Sequence, residues 1–352
     1  ALGMGARAGE ARVPALINAC ATLLFMTDFT IGVDLGGANL RIAAVTPEGE
    51  FLERINLDTE VNEGRERVVA DMCAAIAEIE QRLAGARMAG IGIGVPGIIN
   101  LANGMIRRAP NLPGWSDYPV RDEIERRLET PVILENDANA AALGEKWVGA
   151  GRDVSGLCML TVGTGIGGGV ILDGHIWHGM DGMAGELGHM TIDPNGALCG
   201  CGNLGCIEAY AAAGAISRLA MAAIRVGRSP ALAREAEELG DLTAEIVYIK
   251  AKQGDVVARE IFEMVGRSLG VGIANLINIF NLPLYVVGGG VARGWDAFAP
   301  SLMAEVRKRS LVARSTPTRI VPSALGAEAG LLGAAYLPHL AKKGRDEQTR
   351  RI

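Results

Sequence analysis

His189 is followed, ten residues on, by Cys199, and then by Cys201 and Cys206, so one imidazole and three thiols share a short stretch of chain. Ligands of these types, four in number, suit a closed tetrahedral zinc site, which pins a loop and leaves no coordination position for a substrate. Gly200, Gly202 and Gly205 let the backbone turn tightly enough for all the sulfurs to face one ion. Unrelated buried thiols and a core histidine are the alternative. Against it, three of the six cysteines fall between positions 199 and 206. Two carboxylates, Glu186 and Glu208, flank the cluster at its two ends.

A second chemistry is written into two glycine turns. Ile31 to Val45 reads as an apolar strand, a turn at Gly36 and Gly37, and a second strand; Leu160 to Leu172 repeats the plan around Gly163, Thr164 and Gly165. Turns without side chains leave backbone N–H groups exposed and concave, an arrangement that suits phosphate oxygens. One such turn is usually a hairpin; two, each opening one half of the chain, carry more weight. Asp34 ends the first strand, where a carboxylate can hold magnesium through water.

The two turns, the run from Glu135 through Asn136, Asp137 and Asn139 to Glu145, and the His-Cys-Cys-Cys cluster together resemble the ROK family of bacterial sugar kinases, repressors and open reading frames. The resemblance extends from about Thr30 to about Tyr336. It implies an α/β chain of two-lobed actin-like, ribonuclease-H-like ATPase fold, with ATP and sugar in the interlobe cleft. Phosphoryl transfer to a sugar hydroxyl needs an aligned acceptor oxygen, charge neutralisation and a proton acceptor. Asp137 lies between an apolar strand at Val132–Leu134 and a helix, and is the candidate base. Asn136 beside it can bond a neighbouring hydroxyl. Taken alone, Glu135-Asn136-Asp137 would read as a helix cap.

The resemblance adds sugar contacts from Glu186, His189 and Glu208, and from Asn111 and Gly97. His189 would place one ring nitrogen on zinc and the other on a hydroxyl. Glu186 could instead close a turn, Glu208 could cap a helix starting near Ala209, and Asn111 could sit in a plain turn. For ATP, Gly163, Thr164 and Gly165 are expected to cradle phosphates, with Gly288, Gly289 and Gly290 flat under the adenosine. Asp34, Gly36, Gly37 and Arg41 are retained from the family's first turn. Ala38 stands where the family motif has threonine, which removes one phosphate-facing hydroxyl.

These residues need elements to hold them. The pattern predicts strands near 30–35, 40–46 and 51–56, a helix over about 64–84, a strand at 89–95, a short helix at 121–129 and a strand at 132–134. A second set follows at 157–162, 168–172 and 175–178, then helices, a buried strand at Leu284–Val287 and a small-residue helix beginning near Ala324. The expected division is an N-terminal extension (1–26), a small lobe (27–136) to which a helix at about 325–340 returns, and a large zinc-bearing lobe (137–324), with a hinge near Asp137 and Leu325. The apolar run Val13 to Met26 is too short for a membrane span, and because Met26-Thr27-Asp28-Phe29-Thr30 leads straight into the first strand, residues 1–25 read as an extension upstream of a natural start.

A net charge of −6 with no basic stripe argues against a nucleic-acid surface. Scattered single cysteines beside a zinc site point to the cytosol. The expected activity is ATP-dependent phosphorylation of the 6-hydroxyl of an aldohexose, glucose first, by a homodimer or homotetramer. N-acetylmannosamine, N-acetylglucosamine and fructose kinases share the motifs. A repressor of the same family would carry a helix-turn-helix ahead of the first strand, whereas the residues before Asp34 are few and apolar rather than basic.

Overall fold

The computed structural model describes residues 28–109 and 111–349; the expectations for 1–26 lie outside the described residues. β1 (Asp28–Leu35), β2 (Asn39–Val45) and β3 (Phe51–Asp58) form an antiparallel meander. α1 (Arg65–Arg82) returns the chain so that β4 (Arg87–Val95) pairs parallel with β1. A small hairpin of β5 (Ile98–Asn100) and β6 (Met105–Arg108), then α2 (Val120–Leu128), lead to β7 (Val132–Asn136), parallel to β4.

After α3 (Asp137–Trp147) the plan repeats. β8 (Leu157–Val162), β9 (Ile166–Leu172) and β10 (His175–Ile176) make a second meander. The zinc-type segment and α4 (Glu208–Ala211), α5 (Ala213–Arg225), α6 (Pro230–Leu239), α7 (Ala244–Lys252) and α8 (Val256–Phe280) come next. β11 (Leu284–Gly288) then pairs parallel with β8, α9 (Trp295–Arg309) crosses over, β12 (Arg319–Pro322) pairs parallel with β11, and α10 (Ala329–Thr349) follows. The strand orders are β3-β2-β1-β4-β7 and β10-β9-β8-β11-β12, one topology used twice. Central strands covered on both faces need continuous apolar sequence. Ile31, Val33, Leu35, Ile91, Ile93 and Val95 supply it in one sheet, and Leu157 to Leu160 with Leu284 to Val287 in the other, all buried.

Two helices cross between the sheets. α3 follows the first sheet but packs on β8 and β9 of the second; α10 follows the second sheet but packs on β1 and β4 of the first. α10 comes backbone-close to β1 and to α3. A Cβ at Gly32 would lie 2.4 Å from the Leu331 carbonyl, and one at Gly333 would lie 1.6 Å from the Ala140 carbonyl. This is the close packing that the small-residue pattern predicts. The helix starts at Ala329 rather than near Ala324, because Glu145, fully buried at the end of α3, accepts the Ser323 hydroxyl (2.5 Å) and the Leu325 N–H (2.9 Å) and holds that stretch as a turn. Neither the β5–β6 hairpin nor β12 is predicted from the sequence; both are short and carry little period-two signal. Among the described residues no helix is long and apolar enough to cross a membrane, and the described cysteines are free.

Candidate active site

Asn136 ends β7 and caps α3: its side-chain oxygen accepts the N–H groups of Ala138 (2.9 Å) and Asn139 (3.1 Å). The amide nitrogen of the same side chain donates to the Gly97 carbonyl at 3.2 Å, which brings two predicted sugar-side residues together. Because Asn136 takes the capping duty, Asp137 is left at the first helical position with its carboxylate on the cleft, sharing only the Ala138 N–H at 2.9 Å. Burial, reinforced by the negative charges of Asp34 and Glu186, pushes the Asp137 carboxyl up to about 7. A carboxylate with that affinity for a proton is suited to general-base work near neutrality.

Asp34 lies opposite Arg41 in the β1–β2 register and is ion-paired with it. Burial outweighs the guanidinium, so the Asp34 carboxyl is held above its ordinary range. Arg41 also donates to the Ala327 carbonyl at 2.6 Å, tying the first turn to the segment that enters α10. Asp34, Arg41 and Asp137 line one cavity of about 450 Å³ with Thr161, Gly289, Gly290, Arg293 and Gly330. Gly288 sits under this floor rather than in it, since a Cβ there would meet Met159 at 2.5 Å.

The second turn closes on itself, Gly163 N–H to Gly165 carbonyl at 2.9 Å, and α5 begins against it through Ala213 N–H to Gly163 carbonyl at 2.8 Å. Glu208 fastens it from the other side by accepting the Ile166 N–H at 2.9 Å. The second Glu208 oxygen lies 3.4 Å from the Cys199 sulfur. Glu208 makes no cap bond to its own helix. Asn111 lies against the first turn, its carbonyl 3.1 Å from where a Cβ on Gly37 would sit.

The ligand atoms of His189, Cys199, Cys201 and Cys206 all lie within 4.8 Å of one another. Cys199 sulfur is 3.7 Å from His189 Nδ1, and Cys201 sulfur is 3.8 Å from Cys206 sulfur. The edge of a tetrahedron with zinc–sulfur bonds near 2.3 Å is about 3.8 Å, so these atoms fit a single ion. His189 Nε2 faces the other way, 3.8 Å from Glu186.

Three participants escape the sequence reading. Arg293 lines the cavity just beyond the triple glycine, and its cation beside Gly290 is the signal that could have found it. Thr161 lines it from β8. Glu135, an acid directly after the apolar run Val132–Leu134, is buried and bonded to His178 and Asn139.

The ROK family model matches residues 30–341. The chain belongs to the ROK family. Its relatives include the glucokinase of Thermotoga maritima, 38% identical over 307 residues, covering 87% of this chain and 96% of that protein. The xylose repressor of Caldicellulosiruptor bescii is 34% identical over 307 residues, 86% of this chain and 76% of the repressor. Among solved structures, a ROK family glucokinase from Streptomyces griseus in complex with glucose and AMPPNP superposes with a TM-score of 0.75 at 33% identity, covering 89% of this chain and 99% of that one. The fold is accordingly the actin-like ATPase fold of the ROK sugar kinases.

Proposed function

We infer that the chain is an ATP-dependent hexose kinase that phosphorylates the 6-hydroxyl of an aldohexose, glucose in first place. The observation that carries this reading is Asp137: freed from capping by Asn136, facing the cavity, and holding its proton up to about 7. Its carboxylate would orient the acceptor hydroxyl and take its proton as the oxygen–phosphorus bond forms. Asn136, Glu186, His189, Glu208, Asn111 and Gly97 would hold the other hydroxyls.

The nucleotide would lie in the cavity with its phosphates between the glycine turns, near Arg41 and Arg293. Asp34 would hold magnesium through water, and that ion would neutralise charge on the phosphates. We assign a structural zinc to His189, Cys199, Cys201 and Cys206, supported by the tetrahedral spacing of their atoms. The lobes would divide at the crossings into α3 and α10, which would serve as the hinge. A cytoplasmic homo-oligomer completes the reading, supported by exposed Trp177, Met180, Leu198 and Leu204.

A coupled assay over a panel of hexoses and hexosamines tests the substrate, with glucose expected to turn over fastest. Asp137→Asn should lower kcat on the order of a thousandfold while calorimetry finds glucose affinity within a few-fold of the parent. In the parent, kcat/KM should fall as pH drops through about 7, because the base becomes protonated. A proton held above the ordinary 3.8 makes the native state bind more protons than the unfolded chain, so stability declines as pH rises from about 4 to 7. The Asn variant should thus be the more stable protein at pH 8, by on the order of 4 kcal/mol. Glucose binding without turnover of any sugar would point to sensing instead.

A further inference from the structure

We propose that His178 is a positioning residue: its bond to Glu135 joins the loop after β10 to the end of β7 and sets the start of α3, where Asn136 and Asp137 sit. The proposal rests on the kinase reading for its kinetic consequences and on geometry for the rest.

Glu135 is 3% exposed, and a buried carboxylate needs charge-assisted partners. No lysine or arginine pairs with it among the described residues. Its Oε2 meets His178 Nε2 at 2.7 Å, and its Oε1 accepts the Asn136 N–H (2.8 Å) and the Asn139 side-chain amide (3.0 Å). Asn139 Oδ1 is buried without a partner, so this amide group is fixed by Glu135 alone. The Glu135 bond outweighs the desolvation of His178, and the imidazole is held above its ordinary proton affinity.

Glu135 and Asn136 point to opposite faces of β7 by strand alternation. Asn136 serves the sugar side, while Glu135 faces a second cavity of about 440 Å³, shared with Arg121 and His175. The loop that His178 begins reaches the separate β5–β6 hairpin, a Cβ on Gly182 falling 3.2 Å from the Ile99 carbonyl, and ends at Glu186. One bond therefore fastens two sugar-side segments, Asn136–Asp137 and Glu186–His189, from behind the cleft.

Three variants test it: His178→Ala, His178→Arg and Glu135→Gln. His178 is about one-third exposed, so its replacement is compatible with folding. With glucose and ATP, His178→Ala should lower kcat roughly tenfold to a hundredfold and raise the sugar KM. Arginine, which restores a cation, should recover most of the loss. Activity-independent readouts separate this proposal from the kinase reading. Backbone amides of Asn136, Ala138 and Asn139 should exchange faster in His178→Ala, and the His178 imidazole should titrate lower in Glu135→Gln by NMR. Unchanged exchange at those amides overturns the positioning role whatever the activity, as does a kcat within twofold of the parent in an active enzyme. A parent that phosphorylates no hexose, with exchange still accelerated in the variant, removes the kinase reading and leaves the latch standing.

Discussion

The β1–β2 and β8–β9 hairpins are the same object built twice, and their equivalent positions are filled in opposite ways. In the first, Asp34 faces Arg41 one register pair below the turn; in the second, the corresponding pair is Thr161 and Gly167. The charged pair sits beside the start of α10, where Gly330 leaves room for Asp34. The neutral pair sits beneath α3, and a Cβ at Gly167 would fall 2.9 Å from the Ala138 methyl. The duplicated backbone thus offers one hairpin to charge and the other to close packing. Asp137 depends on both: the second hairpin seats its helix, and the first supplies the nearby carboxylate that helps raise its proton affinity.

The largest expected effect comes from erasing this asymmetry. Asp34→Thr gives the first hairpin the side chain of the second. Turnover should fall about a hundredfold or more, with the magnesium requirement shifted to higher concentration and glucose affinity nearly unchanged. Removing a neighbouring negative charge favours ionised Asp137, so any residual activity should hold to lower pH than in the parent. Loss of glucose binding in Asp34→Thr would show that the first hairpin shapes the sugar side of the cleft as well as the nucleotide side.

A smaller effect should follow from metal removal, and it should fall on one hairpin. Glu208 bonds Ile166 at the second turn and lies against Cys199, so the second turn is tied to the His189, Cys199, Cys201 and Cys206 cluster while the first is not. Elemental analysis should find about one zinc per chain. Chelation should then weaken glucose binding roughly tenfold and speed amide exchange at Gly163 to Ile166. Gly36 to Asn39 should be unmoved. Equal loosening of both turns would place the ion's influence on the whole lobe pairing.

The repeat of strand, turn and strand was legible in the chain because both copies set an apolar strand on each side of a glycine turn, and the ligand cluster because soft ligands crowd a short stretch. What escaped was long-range. Glu145 is an ordinary helical acid in sequence, yet it anchors a turn 178 residues away. Glu135 and His178 are 43 residues apart and share no pattern. Glu135-Asn136-Asp137 does supply the helix cap it suggests, but asparagine and aspartate cap equally well, so only the structure shows that Asn136 caps and donates to the Gly97 carbonyl while Asp137 is left to the cleft.

The smallest expected effect tests whether the first turn still holds phosphate as the ROK family motif does. Ala38 is exposed beside Gly36 and Gly37, and its carbonyl accepts the Thr59 N–H at 2.9 Å, so the backbone there is already fixed. Its φ is not positive, and threonine needs no change of backbone. Ala38→Thr adds one hydroxyl able to face a phosphate oxygen, worth on the order of 1 kcal/mol, which is a several-fold gain in ATP affinity. Glucose affinity measured without nucleotide should not move, because the added hydroxyl would face the phosphates, while the sugar contacts are assigned chiefly to the start of α3 and to Glu186, His189 and Glu208. Titration of both ligands on both proteins reads the difference. Weaker ATP binding in the variant would mean that phosphates approach the turn along the space a threonine side chain fills. The alanine would then belong to a donor site shaped differently from that of the family motif.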